Sequence, residues 1–349
     1  MSSTSRYAAA HTTPNGPGDA RPTACNIVED EGLVGKLSDK VILITGCTSG
    51  IGLETARALL ATGAHIFITA RDMTKADAVL NTLRISVKMG EGKIDVLKLE
   101  LDSLQSVRDC AAEFLSKSRQ LNILINNAGV MACPEGQTKD GFETQFGTNH
   151  LAHFLLFELL KPTLLSSSTP EFNSRVIALS SGGHRISAVH MDDLDLKKSG
   201  YEPWKAYGQS KTANIHMVTE IERRYGSKGL HAFAVHPGGI HTSLQRHASQ
   251  ATIDSWSAPE IEMKMKSPEQ GAATTVWAAI SKDLEGKGGK YLEDCSIAAA
   301  RGPGEAKVLD PGYSPYVYDE ETARKLWDIS LKMVGVNSED HGGRKGKVQ

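Results

Sequence analysis

Seven short apolar runs recur along the chain: VILITG (41–46), HIFITA (65–70), KIDVLKL (93–99), LNILIN (121–126), SRVIALS (174–180), LHAFAVH (230–236) and GKYL (289–292). They show little alternation of apolar and polar positions, as expected of strands buried on both faces of a parallel sheet. Between them lie longer stretches with helical spacing, near 51–62, 74–88, 104–117, 141–165, 204–225 and 268–281. This alternation, with right-handed crossovers that put helices on both faces, predicts one α/β domain built on a doubly wound parallel sheet of about seven strands.

No linker-like composition interrupts the pattern, so residues 38–300 read as a single domain. Residues 1–37, rich in Ser, Thr, Ala, Gly and Pro, read as a disordered arm. Residues 301–336 read as a loop followed by one docking helix, DEETARKLWDISLKMVG, and 337–349 as a polar tail. No run approaches the roughly 18 apolar residues of a membrane span, and the first residues lack the apolar core of a signal peptide. Five widely spaced cysteines with no metal-ligand spacing support neither a disulfide framework nor a zinc site. A cytoplasmic, reducing setting is expected. With 39 basic against 41 acidic side chains and a formal charge of −2, the chain has no field to hold a polyanion, so nucleic acid is not an expected partner. Small molecules are.

Glycine, at 33 of 349 residues, exceeds its usual share of roughly 7%. Immediately after the first strand comes Thr45-Gly46-Cys47-Thr48-Ser49-Gly50-Ile51-Gly52, opening into a helix. Such a turn leaves unpaired N–H groups at a helix N-terminus, which favour a pyrophosphate, and its glycines remove side chains where phosphate or strand must come close. The spacing T-G-x-x-x-G-I-G resembles the cofactor signature of the short-chain dehydrogenase/reductase family. Further motifs follow in that family's order: Asn126-Asn127-Ala128-Gly129, Asn149, Ser180-Ser181, Tyr207-Gly208-Gln209-Ser210-Lys211 as Y-x-x-x-K, and Pro237-Gly238-Gly239-Ile240-His241-Thr242 as P-G-x-x-x-T. The segment between Ser181 and Tyr207 is about double the simplest family spacing. Its S-S-x-x-H…D-D-L…A-Y-x-x-S-K pattern resembles the retinol dehydrogenase and WW-domain oxidoreductase branch.

The resemblance implies a Rossmann-type fold and a dinucleotide held by Gly46, Thr48, Ser49, Gly50, Ile51, Gly52, Asn127, Ala128, Gly129, Tyr207, Lys211, Pro237, Gly239, Ile240 and Thr242. It implies that Asp102 recognises adenine, although Asp102 also stands where it could cap the following helix. At the end of the second strand an acidic residue would accept from a ribose 2′-hydroxyl, whereas a basic one would neutralise a 2′-phosphate. Arg71 stands there, which favours NADP(H); Asp72 follows directly and reverses the expectation if the strand ends one residue later.

Tyr207 and Lys211, four residues apart in a helix, share one face. An ammonium near a phenol is expected to lower the tyrosine pKa toward working pH. Neighbouring strand residues point to opposite faces, so only one of Ser180 and Ser181 can face the substrate. The family resemblance implies Ser181, and a water held by Asn149 that links Lys211 to solvent. Isolated His184 and His190 read as structural. The stretch 240–267 carries Leu244, Ile253, Trp256, Ile261, Met263 and Met265 and is expected to cover an apolar pocket. The expected activity is hydride transfer between nicotinamide and a carbonyl or alcohol carbon of a lipophilic or aromatic small molecule, in specialised (secondary) metabolism by analogy. The alternatives are a retinoid or steroid substrate, or a dinucleotide-binding regulatory protein without turnover. Family members often pair through the helix that carries Y-x-x-x-K, which makes a homodimer a further expectation.

Overall fold

All seven apolar runs form strands in the computed structural model, which describes residues 5–86, 92–302 and 309–337. They are β1 (Val41–Ile44), β2 (His65–Ala70), β3 (Ile94–Lys98), β4 (Ile123–Asn126), β5 (Ser174–Leu179), β6 (Leu230–His236) and β7 (Lys290–Glu293). The sheet order is β3-β2-β1-β4-β5-β6-β7 plus an eighth strand, β8 (Ser296–Ile297). β1 to β7 pair in parallel, with Leu43 opposite Phe67 on one side and Leu124 on the other. The chain direction of the winding reverses between β1 and β4, which opens a crevice at the carboxyl ends of these strands. Alternate residues serve opposite faces: Leu43, Phe67, Leu124 and Val176 join one apolar layer, Ile42, Ile44, Ile66 and Ile125 the other. This is why the runs read as continuously apolar.

β8 was not expected. It pairs antiparallel with β7 through a two-residue turn in which Asp294 and Cys295 both have positive φ, 50° and 51°. Asn-Gly or Asp-Gly would have announced such a turn; Asp-Cys does not.

The reading of residues 1–37 as a disordered arm is corrected over 5–37. Thr23 and Asn26 form a capping box at the head of the helix Ala24–Asp30, whose Ala24, Ile27 and Val28 are buried. The helix packs on Ala273–Ile280. Seven residues are too few to display a period within the 11–18-residue windows that periodicity needs. Arg21 anchors the same segment: its guanidinium donates to the carbonyls of Gly16 (3.0 Å), Lys264 (2.9 Å) and Met265 (2.5 Å).

Two expected helices are interrupted. The 141–165 stretch starts as one α-helical turn, Thr144–Phe146, passes through a π-helical turn, Gly147–Leu151, and continues as Ala152–Ser167, and 268–281 divides into Pro268–Gly271 and Ala273–Ile280. The C-terminal segment carries the helix Glu320–Met333. Its Trp327 lies edge-on to Phe154 with ring centres 4.9 Å apart and beneath the Arg224 guanidinium at 4.7 Å. It packs on the helix Pro203–Tyr225, so the chain itself covers part of the helix through which a family-type homodimer would pair. The expected tail lies outside the described residues beyond 337, and no helix among the described residues is long and apolar enough to cross a membrane.

Candidate active site

The glycine turn sits at the mouth of the crevice. Gly46 and Gly50 have φ of 71° and 59°, the left-handed region that favours glycine. A Cβ on Gly52 would lie 2.2 Å from the Gly46 carbonyl oxygen and 2.5 Å from Asn127 Nδ2, so only glycine lets the helix Gly50–Leu60 start so close to the turn. Its N-cap, Ser49, makes no side-chain capping bond, which leaves N–H donors facing the crevice. Asn127 braces the turn by donating from Nδ2 to the carbonyls of Thr45 (2.8 Å) and Gly46 (3.0 Å). Thr242, from the loop after β6, packs its methyl against Gly50, with a Cβ there meeting Thr242 Cγ2 at 3.4 Å. These features fit a bound dinucleotide: an uncapped helix N-terminus and glycines held open where a phosphate must approach.

A buried network joins this turn to Asn149. Thr45 Oγ1 accepts from the N–H groups of Asn127 (2.9 Å) and Ala128 (3.0 Å), so its own proton goes to His153 Nε2 at 3.0 Å. His153 is thereby protonated on Nδ1, which donates to the Asn149 carbonyl at 3.1 Å. Burial holds His153 down at about 4, so it is neutral. The Asn149 amide donates to Val130 O (2.9 Å) and Ser210 Oγ (2.9 Å) and accepts from Val130 N–H (2.8 Å). Both of its side-chain N–H groups are occupied, so its amide braces the neighbouring backbone and has no donor left for a relay water.

Ser181, Tyr207 and Lys211 come together at the carboxyl end of β5. Ser180 and Ser181 part as the pleat requires: Ser180 Oγ donates to the Lys211 carbonyl (2.9 Å), whereas Ser181 Oγ accepts from Gly183 N–H (3.0 Å) and faces the cavity. Lys211 Nζ lies 5.6 Å from the centre of the Tyr207 ring and donates to Leu179 O at 3.0 Å. Burial pushes the Tyr207 phenol up to about 12, partly offset by a hydrogen bond with Ser181. Burial also draws Lys211 down to about 8. The expected lowering of the tyrosine by the lysine is therefore not what the free protein has; desolvation outweighs it. His184, buried beneath Ser181, accepts from Ser314 N–H on Nε2 (3.2 Å) and so donates from Nδ1 to Ser181 O (2.7 Å). It ties the C-terminal segment to the serine. His190 bonds Ser187 Oγ at 2.9 Å.

β2 ends at Ala70, which makes Arg71 the first residue past the strand. Asp72 is engaged at the start of the next helix, accepting from Lys75 N–H at 3.1 Å. Arg71 is exposed and has no ion-pair partner among the described residues. Asp102 does not cap its helix: Ser103 does, accepting from Ser106 N–H. The Asp102 carboxylate stays half-exposed, 3.5 Å from Lys139 Nζ.

Ser181, Tyr207 and Lys211, but not Arg71 or Asp102, line a cavity of about 420 Å³, of a size to take a small molecule. Ile51, Asn127, Gly129, Pro237, Gly239, Ile240 and Thr242 border it with the three catalytic candidates. Of the expected cover, Leu244, Trp256, Ile261 and Met265 line it, but Ile253 and the exposed Met263 do not. Trp204 stands edge-on to both Tyr207 (6.1 Å) and Trp256 (5.9 Å). Its place one turn before Tyr207 was a usable signal. Met131, Arg185, Ile186, Arg301 and Leu309 also line the cavity; the last two come from a distant segment that no motif marks.

The family model for short chain dehydrogenases matches residues 40–252. The chain is 52% identical over 334 residues to the short-chain dehydrogenase/reductase prx1 of Penicillium roqueforti, covering 95% of this chain and 96% of that protein. It is 37% identical over 304 residues to retinol dehydrogenase 12 of Homo sapiens, covering 87% and 89%. Among solved structures, the Pseudomonas aeruginosa RhlG/NADP active-site complex superposes with a TM-score of 0.59 at 26% identity, covering 75% of this chain and 96% of that one. Fold, motifs and relatives agree that the chain is an oxidoreductase of the short-chain dehydrogenase/reductase family.

Proposed function

We propose that the protein is an NADP(H)-dependent reductase of a ketone or aldehyde on a lipophilic or aromatic frame, with Ser181, Tyr207 and Lys211 as its catalytic residues. The observation that carries this is the convergence of the two hydroxyls and the ammonium on one apolar-walled cavity beside the glycine turn. Bound nicotinamide supplies or accepts the hydride. Ser181 Oγ takes the Gly183 N–H on a lone pair and hydrogen-bonds Tyr207, so a substrate oxygen that enters between the two hydroxyls would take over the Ser181 proton as negative charge develops there. Tyr207, with its phenol pushed up to about 12, holds its proton at neutral pH and is suited to deliver it to that oxygen. Lys211 supplies a positive charge near the phenol that stabilises the phenolate left behind. Asn149 acts as a positioning residue that holds the Val130 backbone and Ser210 beside Lys211.

Gly46, Thr48, Ser49, Gly50, Ile51 and Gly52 would receive the pyrophosphate. Asn127, Ala128, Gly129, Pro237, Gly239, Ile240 and Thr242 would border the nicotinamide half, and Asp102 the adenine. NADP(H) is favoured by Arg71 standing just past β2 while Asp72 is engaged at a helix start. Greater identity to a Penicillium protein than to a retinol dehydrogenase supports a substrate of specialised fungal metabolism over a retinoid. The activity is tested by following NADPH consumption over a pool of lipophilic aldehydes and ketones. Tight NADPH binding with no consumption would favour a regulatory dinucleotide-binding protein instead.

A further inference from the structure

The described lining of the cavity contains three cations, Arg185, Lys211 and Arg301, and no aspartate or glutamate. Lys211 belongs to the catalytic group. Arg185 spends its guanidinium on backbone carbonyls, with Nε donating to Gly182 O and Nη1 to the carbonyls of Asp310 and Gly312. Arg301 is different. Its Nη2 is buried from solvent and finds no hydrogen-bond acceptor among the described residues.

The position of Arg301 is fixed by its backbone. Its N–H donates to Tyr313 O (2.9 Å), Tyr313 N–H donates to Ala299 O (3.0 Å), and the two segments form a short bridge beyond β8. The side-chain stem crosses Gly312, where a Cβ would come within 2.7 Å of Arg301 Cγ. Arg301 as a whole is only partly buried, so the part of its guanidinium that lines the cavity can meet an anionic acceptor there. The cavity walls also carry the apolar Ile186, Trp204, Leu244, Trp256, Ile261 and Leu309, with Gln245 and His236 among the polar ones. The dinucleotide's phosphates have their own donors at the helix Gly50–Leu60, where Thr242 closes on Gly50.

We propose that Arg301 anchors a carboxylate of the substrate, so that the natural substrate is a lipophilic or aromatic carbonyl compound carrying an acid group away from the reacting carbon. The proposal rests on the cavity being the substrate site of a reductase. A planar carboxylate matches the guanidinium fork and gives a charge-assisted bond that the ester or amide of the same skeleton cannot. Arg301 would thus set both which molecules enter and which way round they lie.

The test uses the full chain saturated with NADP⁺ and measures binding of naphthoate and of its methyl ester by quenching of tryptophan fluorescence, since Trp204 and Trp256 line the cavity. Naphthoate should bind at least about tenfold more tightly than the ester. Arg301→Gln should bring naphthoate to the level of the ester, and Arg301→Lys should restore part of the preference. The NADP⁺ dissociation constant should stay within about twofold in both variants. Equal binding of acid and ester by the wild type, or a preference that survives in Arg301→Gln, overturns the proposal. A large loss of NADP⁺ affinity in Arg301→Gln overturns it too, by assigning the arginine to the cofactor. The parallel assay is consumption of NADPH with naphthaldehyde. Failure there, with the carboxylate preference intact, would count against the reductase and leave the anchor standing.

Discussion

Lys211 Nζ sits 5.6 Å from the centre of the Tyr207 ring while donating to the Leu179 carbonyl at 3.0 Å. The two side chains are one helical turn apart, and burial acts on them in opposite senses, raising the phenol to about 12 and lowering the ammonium to about 8. At neutral pH the phenol keeps its proton and the lysine its charge, the pair of states that carbonyl reduction needs.

The pH profile of reduction follows from that pair. Lys211 is charged below its lowered pKa and neutral above it, so kcat/KM for NADPH-dependent reduction should be level below neutral pH and fall above about 8. Lys211→Arg keeps the charge at all these values. Whatever activity it retains should lack the alkaline decline, and a decline at the same pH in the variant would detach Lys211 from it.

The proposed preference for NADP(H) rests on Arg71. Arg71→Ala should lower the ratio of kcat/KM for NADPH over NADH by at least about tenfold, the effect of one lost charge-assisted contact to a phosphate. An unchanged ratio, measured with one carbonyl substrate and both cofactors, removes Arg71 from the account.

Four buried histidines, together with His236 at the cavity wall, should make the fold sensitive to mild acid. Burial holds His150 at about 3 and His153, His184 and His216 at about 4, and desolvation at the cavity wall with the nearby Arg185 and Lys266 charges holds His236 low as well. Unfolded, each titrates near 6.5. Between about 4 and 6.5 the unfolded chain binds protons that the folded one does not, so stability present above 6.5 is lost as the pH falls. The unfolding temperature should drop steadily from pH 7 to pH 5. His216→Asn, which removes one such group away from the cavity, should make that drop shallower, and a flat profile in the wild type would contradict the assignment.

Arg21 should matter to the cavity although it does not line it. Its guanidinium holds the carbonyls of Lys264 and Met265, and Met265 is a wall of the cavity. Arg21→Ala should destabilise the protein by about 2–3 kcal/mol, from stranded carbonyls, and raise KM for a lipophilic aldehyde more than it lowers kcat. Thermal unfolding and initial rates decide both points, and an unaltered KM would show that the N-terminal segment does not hold the cover in place.

What could be read from the chain in advance depended on local chemistry. The strands from β1 to β7 were visible because a parallel strand buried on both faces is apolar throughout, and the pair Tyr207 and Lys211 because four residues make one helical turn. The helix Ala24–Asp30 escaped because its three apolar positions gain meaning only against Ala273–Ile280. The π turn around Asn149 escaped for a related reason, since its side chain bonds to Val130, nineteen residues earlier in sequence. Arg301 was invisible because its place depends on Tyr313, across a segment with no periodicity to follow.

The proposed function stands on delivery of the proton by Tyr207 in an NADPH-dependent reduction. Rates of NADPH consumption by wild type and Tyr207→Phe, over the same pool of lipophilic carbonyl compounds, test it most directly. The phenyl ring keeps the packing against Trp204, so NADPH affinity should hold while kcat falls by a factor of about 10² to 10⁴. A variant that keeps most of the wild-type rate would contradict the claim.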